Sequence, residues 1–220
     1  IGQDYSGIAL VLVDVPAALP LLRKAYAGSD DPAVKLRYAH VLGLLYDDTG
    51  TASLIRAVKE AEWDKGWNFR GLGQYGATTS YIDNLVIALG RTGSKDGLPV
   101  ILEKLKILTP ESEFSHCRAV AMALERLKAP EAAAPLAALL GQPGMSGHAF
   151  LEIGDVVKRT PGRRADTSTR NASLKELILA RALYRCGDHD RIAEKILRQY
   201  AADYRGYYSR HAKAILSEGS

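Results

Sequence analysis

Apolar residues recur at helical spacing along most of the chain, in blocks separated by short polar turns. The block from Asp31 to Ala61 shows the pattern plainly: DPAVKLRYAHVLGLLYDDTGTASLIRAVKEA. Asp31 predicts a helix cap, and Pro32 suits the first helical position because it has no N–H to leave unsatisfied there. Leu36, Tyr38, Ala39, Leu42 and Leu45 then form one apolar face. Asp47, Asp48 and Gly50 interrupt it. Ala52, Leu54, Ile55, Val58 and Ala61 begin a second apolar stripe. The prediction is a helical hairpin that cannot bury both faces without neighbours of its own kind.

Those neighbours are legible. A small–Leu pair near the end of each first helix recurs as Val41-Leu42-Gly43, Ala88-Leu89-Gly90, Ala123-Leu124-Glu125, Ala182-Leu183-Tyr184 and Ala214-Ile215-Leu216. The central residues are 47, 35, 59 and 32 positions apart. Repetition on this scale predicts an all-α superhelix of the HEAT or armadillo kind, with about four to five hairpins in one domain spanning 1–220. The uneven spacings mark insertions near 62–78 and 141–171.

Between these marks the reading is coarser. Ile8 to Val13 fits either a strand or a buried helix. Ala17 to Ala27 predicts a helix. Thr79 to Arg91 and Ser94 to Leu108 predict a hairpin with Ser94 as cap. Thr109 is expected to cap a helix opened by Pro110 and running to Leu127, followed by a short helix from Pro130 to Leu140. Phe150 to Val157 suggests a short helix within the second insertion. Ser173 and Glu176 have the spacing of a capping box for a helix from Leu174 to Cys186. Arg191 to Ala201 and Arg205 to Leu216 complete the array.

The first insertion, EWDKGWNFRGLGQYGAT, holds both tryptophans, Trp63 and Trp67, with Phe69, Arg70, Gln74 and Tyr75. Loops are normally poor in large aromatics. Two readings stand: the aromatics plug a wide repeat junction, or they form a contact surface, since aromatics with Arg are common interface anchors. Gly71 to Gly76 spells GxGxxG, but no buried strand precedes it, so a dinucleotide site is not expected. At the position six residues before the anchor Leu, two repeats carry Leu36 and Leu177 and the middle two carry Asp83 and Arg118. Neighbouring first helices stack, so an Asp83–Arg118 ion pair is expected, extended by His116.

The chain is 47% apolar and 25% charged, with a net charge of +4. From Val156 to Lys213 there are 14 Lys and Arg against 6 Asp and Glu. A basic end can meet an anionic partner, but the preferred reading is a solvated face, or a basic end that meets the acidic end of a neighbouring domain. The stretch Lys158 to Arg170 is basic and polar, and Asn171-Ala172-Ser173 matches a glycosylation triplet. Cys117 and Cys186 fall on helix faces and are expected as buried thiols. No metal-binding or catalytic motif is legible, and no cofactor or metal site is assigned in this chain. No apolar run reaches membrane-spanning length. A soluble protein is expected, cytoplasmic or exported after processing, and the first residue, Ile1, suggests a fragment of a longer chain.

Several motifs resemble the C-terminal repeat region of bacterial FAD-dependent oxidoreductases. They are Leu36 to Gly43, Trp63 to Gly71 with Gly73 to Gly76, Asp83, Ile87 to Thr92, Ser115-His116 with Arg118 to Val120, Pro143 to Met145 with Gly147-His148, and Ala180 to His189. The resemblance implies a non-catalytic accessory region, with FAD bound by an N-terminal part of the parent. The implied partner is that catalytic domain or another protein. The expected interaction surface is Trp63, Trp67, Phe69, Arg70, Gln74, Tyr75, His116 and His148. The alternatives are a free-standing protein-binding scaffold and, ranked lower because the basic residues lie away from the tryptophans, a HEAT-like DNA glycosylase or DNA-binding protein.

Overall fold

The computed structural model describes residues 15–63, 79–159 and 168–218. Among them are eleven α-helices and no strand. They are α1 Val15–Ala27, α2 Pro32–Leu44, α3 Thr51–Glu60, α4 Tyr81–Arg91, α5 Leu98–Lys106, α6 Phe114–Leu127, α7 Ala133–Leu140, α8 Ile153–Arg159, α9 Ser168–Arg185, α10 Ile192–Ala201 and α11 Gly206–Glu218. Short 3₁₀ turns at Lys95–Gly97 and Pro130–Ala132 lead into α5 and α7. The Ile8–Val13 run lies outside the described residues.

Helices α2/α3, α4/α5, α6/α7 and α9/α10 are consecutive first–second pairs, with α1 before them and α11 after; α3 packs on α2 and α10 on α9, whereas α5 packs on α6 and α7 on α9, the first helix that follows each. The first helices stack in one layer in the order α2, α4, α6, α9, and the second helices α3, α5 and α7 back them. Small residues at the repeat anchors let the first helices approach closely. A Cβ on Gly43 would stand 2.7 Å from the Ala88 carbonyl oxygen, and one on Gly90 would stand 2.3 Å from Ala123 Cα. The anchor leucines Leu42, Leu89, Leu124 and Leu183 are fully buried beside these contacts. The repeat signature is therefore a packing rule, with one residue small enough for backbone contact next to one large enough to fill the layer below.

Local capping follows the sequence in part. Asp31 Oδ1 accepts from the Ala33 and Val34 amides at 2.8 and 3.3 Å. Ser94 caps the 3₁₀ turn before α5 rather than α5 itself. Pro110 does not open a helix. Thr109 to Ser112 closes its own turn, with the Ser112 amide donating to the Thr109 carbonyl and the Thr109 amide to Ser112 Oγ, each at 3.0 Å. Helix α6 therefore starts later, at Phe114. The Ser173–Glu176 capping box is also absent, because α9 begins at Ser168 and both residues sit inside it, buried. Asn171 is likewise helical. In the second insertion the helix is Ile153–Arg159, and Phe150 turns into the core instead. Cys117 and Cys186 are buried free thiols. Burial pushes the Cys117 thiol up to about 12 and that of Cys186 to about 11.

Candidate functional site

The topology sorts the connections. Turns inside a hairpin join the end of a first helix to a second helix. Connections between hairpins return to the start of the next first helix. Both insertions are of the second kind: one leads into α4 and the other into α9. Their described ends are therefore fixed at one end of the first-helix layer, where α4, α6 and α9 begin.

At the first insertion, Asp83 is the central group. It forms a capping box for α4, with Oδ2 accepting from the Ser80 amide at 2.7 Å and its own amide donating to Ser80 Oγ at 3.2 Å. Its other oxygen, Oδ1, meets His116 Nδ1 at 2.8 Å. Asp83 and His116 are 0% and 1% exposed. The Trp63 ring stacks on His116 with centroids 4.4 Å apart and planes 27° from parallel. One carboxylate thus ties the start of α4 to α6, and the imidazole it holds is the platform for the last described residue of α3's exit. Lys104 Nζ donates to the Ala61 carbonyl at 2.6 Å, fixing the same exit from α5. Burial lowers the pKa of that ammonium. The Arg118 guanidinium lies 5.6 Å from the centre of the Phe114 ring. Burial lowers its pKa, and the charge of Asp83 opposes that shift. Asp83 and Arg118 therefore interact electrostatically, while the Asp83 carboxylate bonds His116 and the Ser80 amide.

At the second insertion Glu176, 1% exposed, takes the same part. Oε1 accepts from the Gly147 amide at 2.8 Å. Oε2 accepts from the His148 amide at 2.9 Å and from the Tyr200 hydroxyl at 2.7 Å. Burial and this carboxylate push the Tyr200 phenol well above its usual range. Next to it, Asp203 accepts from the Phe150 amide at 2.8 Å and from Arg205 at 2.7 Å. Burial alone would raise the Asp203 pKa, but these donors hold it below the usual carboxylate value. Arg205 also donates to the His148 carbonyl at 2.9 Å and to Ser173 Oγ at 3.0 Å, and lies 3.8 Å from the Phe150 ring centre. Lys175 spans the two anchor points, its Nζ donating to the carbonyls of Pro110 and Ser112 ahead of α6.

Of the residues expected on the interaction surface, Trp63, His116 and His148 are described. His116 is buried and stacks against Trp63. His148 is half-buried, and its ring Nε2 bonds the Gly144 carbonyl at 3.0 Å. Trp67, Phe69, Arg70, Gln74 and Tyr75 lie outside the described residues. The second cluster was not legible as a site. Its signal was present, since Ser173 and Glu176 share a helix face with Leu177, Ala180 and Leu183, where polar residues need buried partners.

Both buried carboxylates have donors on each oxygen, which is the arrangement that makes a buried charge tolerable. Among the described residues no cluster of His, Cys, Asp and Glu could hold a metal ion. No helix there is long and apolar enough to cross a membrane. No family model matches the chain, and comparison with curated proteins and with solved structures found nothing similar.

Proposed function

We propose that this chain is a non-catalytic, HEAT-like repeat domain for protein or interdomain contact, and that it is the C-terminal accessory region of an FAD-dependent oxidoreductase. The oxidoreductase part rests on the motif resemblance. The interaction part is supported by one observation. Two buried carboxylates, Asp83 and Glu176, fix the ends of both insertions at the same end of the first-helix layer. Rigid helices that hold loops in register are the usual base for a contact surface. On this reading Trp67, Phe69, Arg70, Gln74 and Tyr75 make the contact, and Trp63, His116 and His148 position it. FAD belongs to the parent's catalytic domain and not to this chain.

The test is binding of the 220-residue chain to the parent's isolated flavin domain. Trp67→Ala and Arg70→Ala should each weaken binding by about tenfold or more, as expected for interface anchors. Their unfolding temperatures should not change. Unchanged affinity removes this surface. A parent that purifies without flavin absorbance removes the oxidoreductase assignment.

A further inference from the structure

The opposite end of the first-helix layer, where α4, α6 and α9 terminate, is rich in arginine. Arg91, Arg126 and Arg185 occupy the last turns of these helices, and Arg181 lies one turn earlier on α9. Cations at helix C-termini are favoured by the helix dipole alone. Three further features exceed that requirement.

First, these four arginines line one open groove of about 310 Å³, with Ile87, Met122 and Tyr46 supplying apolar surface and Glu125 a single acid. Second, two of them are fixed in place. Glu125 accepts from Arg181 Nε at 2.6 Å and from Arg185 Nη1 at 3.2 Å, and Glu218 accepts from Arg185 Nη2 at 2.7 Å. Third, Arg91 and Arg126 have no carboxylate partner among the described residues. Their guanidinium groups stand 5.7 and 4.9 Å from the Tyr46 ring centre. Tyr46 is 57% exposed and has φ +64°. It fills the position after α2 that glycine fills after α4 and α9, as Gly93 and Gly187 at φ +75° and +104°. A side chain is disfavoured in that left-handed conformation. Tyr46 is thus an exposed aromatic beside two arginines that have no carboxylate partner among the described residues.

We propose that this groove binds an acidic segment of a partner protein. Its carboxylates pair with Arg91 and Arg126, and an apolar side chain rests on Ile87, Met122 and Tyr46. The groove lining carries four positive charges against one negative, so the complement is acidic. The apolar floor suits a peptide side chain and offers nothing to a sugar–phosphate backbone. The proposal stands apart from the insertion end, so either surface can fail while the other holds.

The experiment uses the full chain and fluorescein-labelled acidic peptides of about twelve residues, with Asp and Glu interspersed with Leu or Trp, read by anisotropy. Matched peptides carry Asn and Gln instead, and single- and double-stranded oligonucleotides form a third arm. Acidic peptides should bind, and the neutral ones should not. Binding should weaken with added salt. The Arg91→Glu/Arg126→Glu variant should lose about tenfold or more in affinity and gain affinity for a Lys-rich peptide. Arg126→Ala, an exposed single change, gives the same direction should the double variant fail to fold. The proposal is overturned by acidic peptides that do not bind, by binding indifferent to Arg126→Ala, or by oligonucleotides that bind this groove while the peptides do not.

Discussion

Gly90→Ala sets two effects of opposite sign against each other. Gly90 lies in the last turn of α4. Helix propensity alone favours alanine there by about 1 kcal/mol. The structure opposes it. The new Cβ would stand 2.3 Å from Ala123 Cα and 2.4 Å from Ala123 Cβ. Carbon atoms in contact ordinarily sit roughly 3.5–4.0 Å apart, so α4 and α6 must part by more than about 1 Å. The obstacle is backbone, so no rotamer change relieves it. Separation would also loosen Leu85, Leu89, Val120 and Leu124, all buried along this seam. Overpacking of this kind costs about 1–3 kcal/mol, and a backbone obstacle belongs at the upper end. The expected net effect is a loss of about 2 kcal/mol. Urea unfolding followed by far-UV circular dichroism measures it. Gly154→Ala in α8 is the control, because its Cβ would meet nothing within 4 Å. That variant should gain up to about 1 kcal/mol. A Gly90→Ala protein as stable as Gly154→Ala would refute the close approach of α4 and α6.

Three other perturbations test the polar clusters. Glu176→Ala removes the carboxylate that accepts from the Gly147 and His148 amides and leaves the Tyr200 hydroxyl with its longer, 3.3 Å bond to the Ser173 carbonyl, so a loss of about 3–5 kcal/mol is expected, with faster hydrogen exchange at those two amides; slow exchange in the variant would show that the loop is held otherwise. His116→Ala removes the platform under Trp63 and a partner of Asp83, at about 2–4 kcal/mol. In a Trp67→Phe background it should shift Trp63 emission to the red, and an unmoved spectrum contradicts the stack. His211 has a lowered pKa, first because of burial and then because of Arg181 and Arg185. The unfolded chain therefore takes up the proton first, and stability should fall as pH drops from about 6.5 toward the lower folded value. His211→Gln should flatten that part of the profile, and identical profiles would exclude the effect.

How much of this was legible depended on which force fixed each element. The hairpins read well because apolar periodicity and burial are the same fact seen twice, and the anchor pairs name residues that make the contacts between first helices. Boundaries failed where a side chain bonded somewhere other than its nearest helix end. Thr109 and Pro110 have the letters of a helix start, but a turn closed by Ser112 and held by Lys175, far along the chain, satisfies the same groups. Ser173 and Glu176 have the spacing of a cap, but their partners, Gly147, His148 and Tyr200, lie 24 to 29 residues away from Glu176. A carboxylate six residues before the repeat anchor was a readable anomaly. Asp83 and Arg118 occupy matching positions and interact electrostatically, and the imidazole hydrogen-bonded to Asp83 is that of His116, two residues earlier on the same helix.

Charge sorting explains why the basic C-terminal half need not mark a nucleic-acid surface. Arg181, Arg185, Arg191, Arg198 and Arg205 each bond a carboxylate, on Glu125, Glu218, Glu194, Glu194 and Asp203 respectively. A phosphate backbone would have to compete there with carboxylates already in contact. Arg91 and Arg126 differ, since they lie before this basic stretch and face an aromatic ring instead of an acid. The cations open to an anion are those whose neighbours leave them so, and that depends on the stacking of α2, α4 and α6.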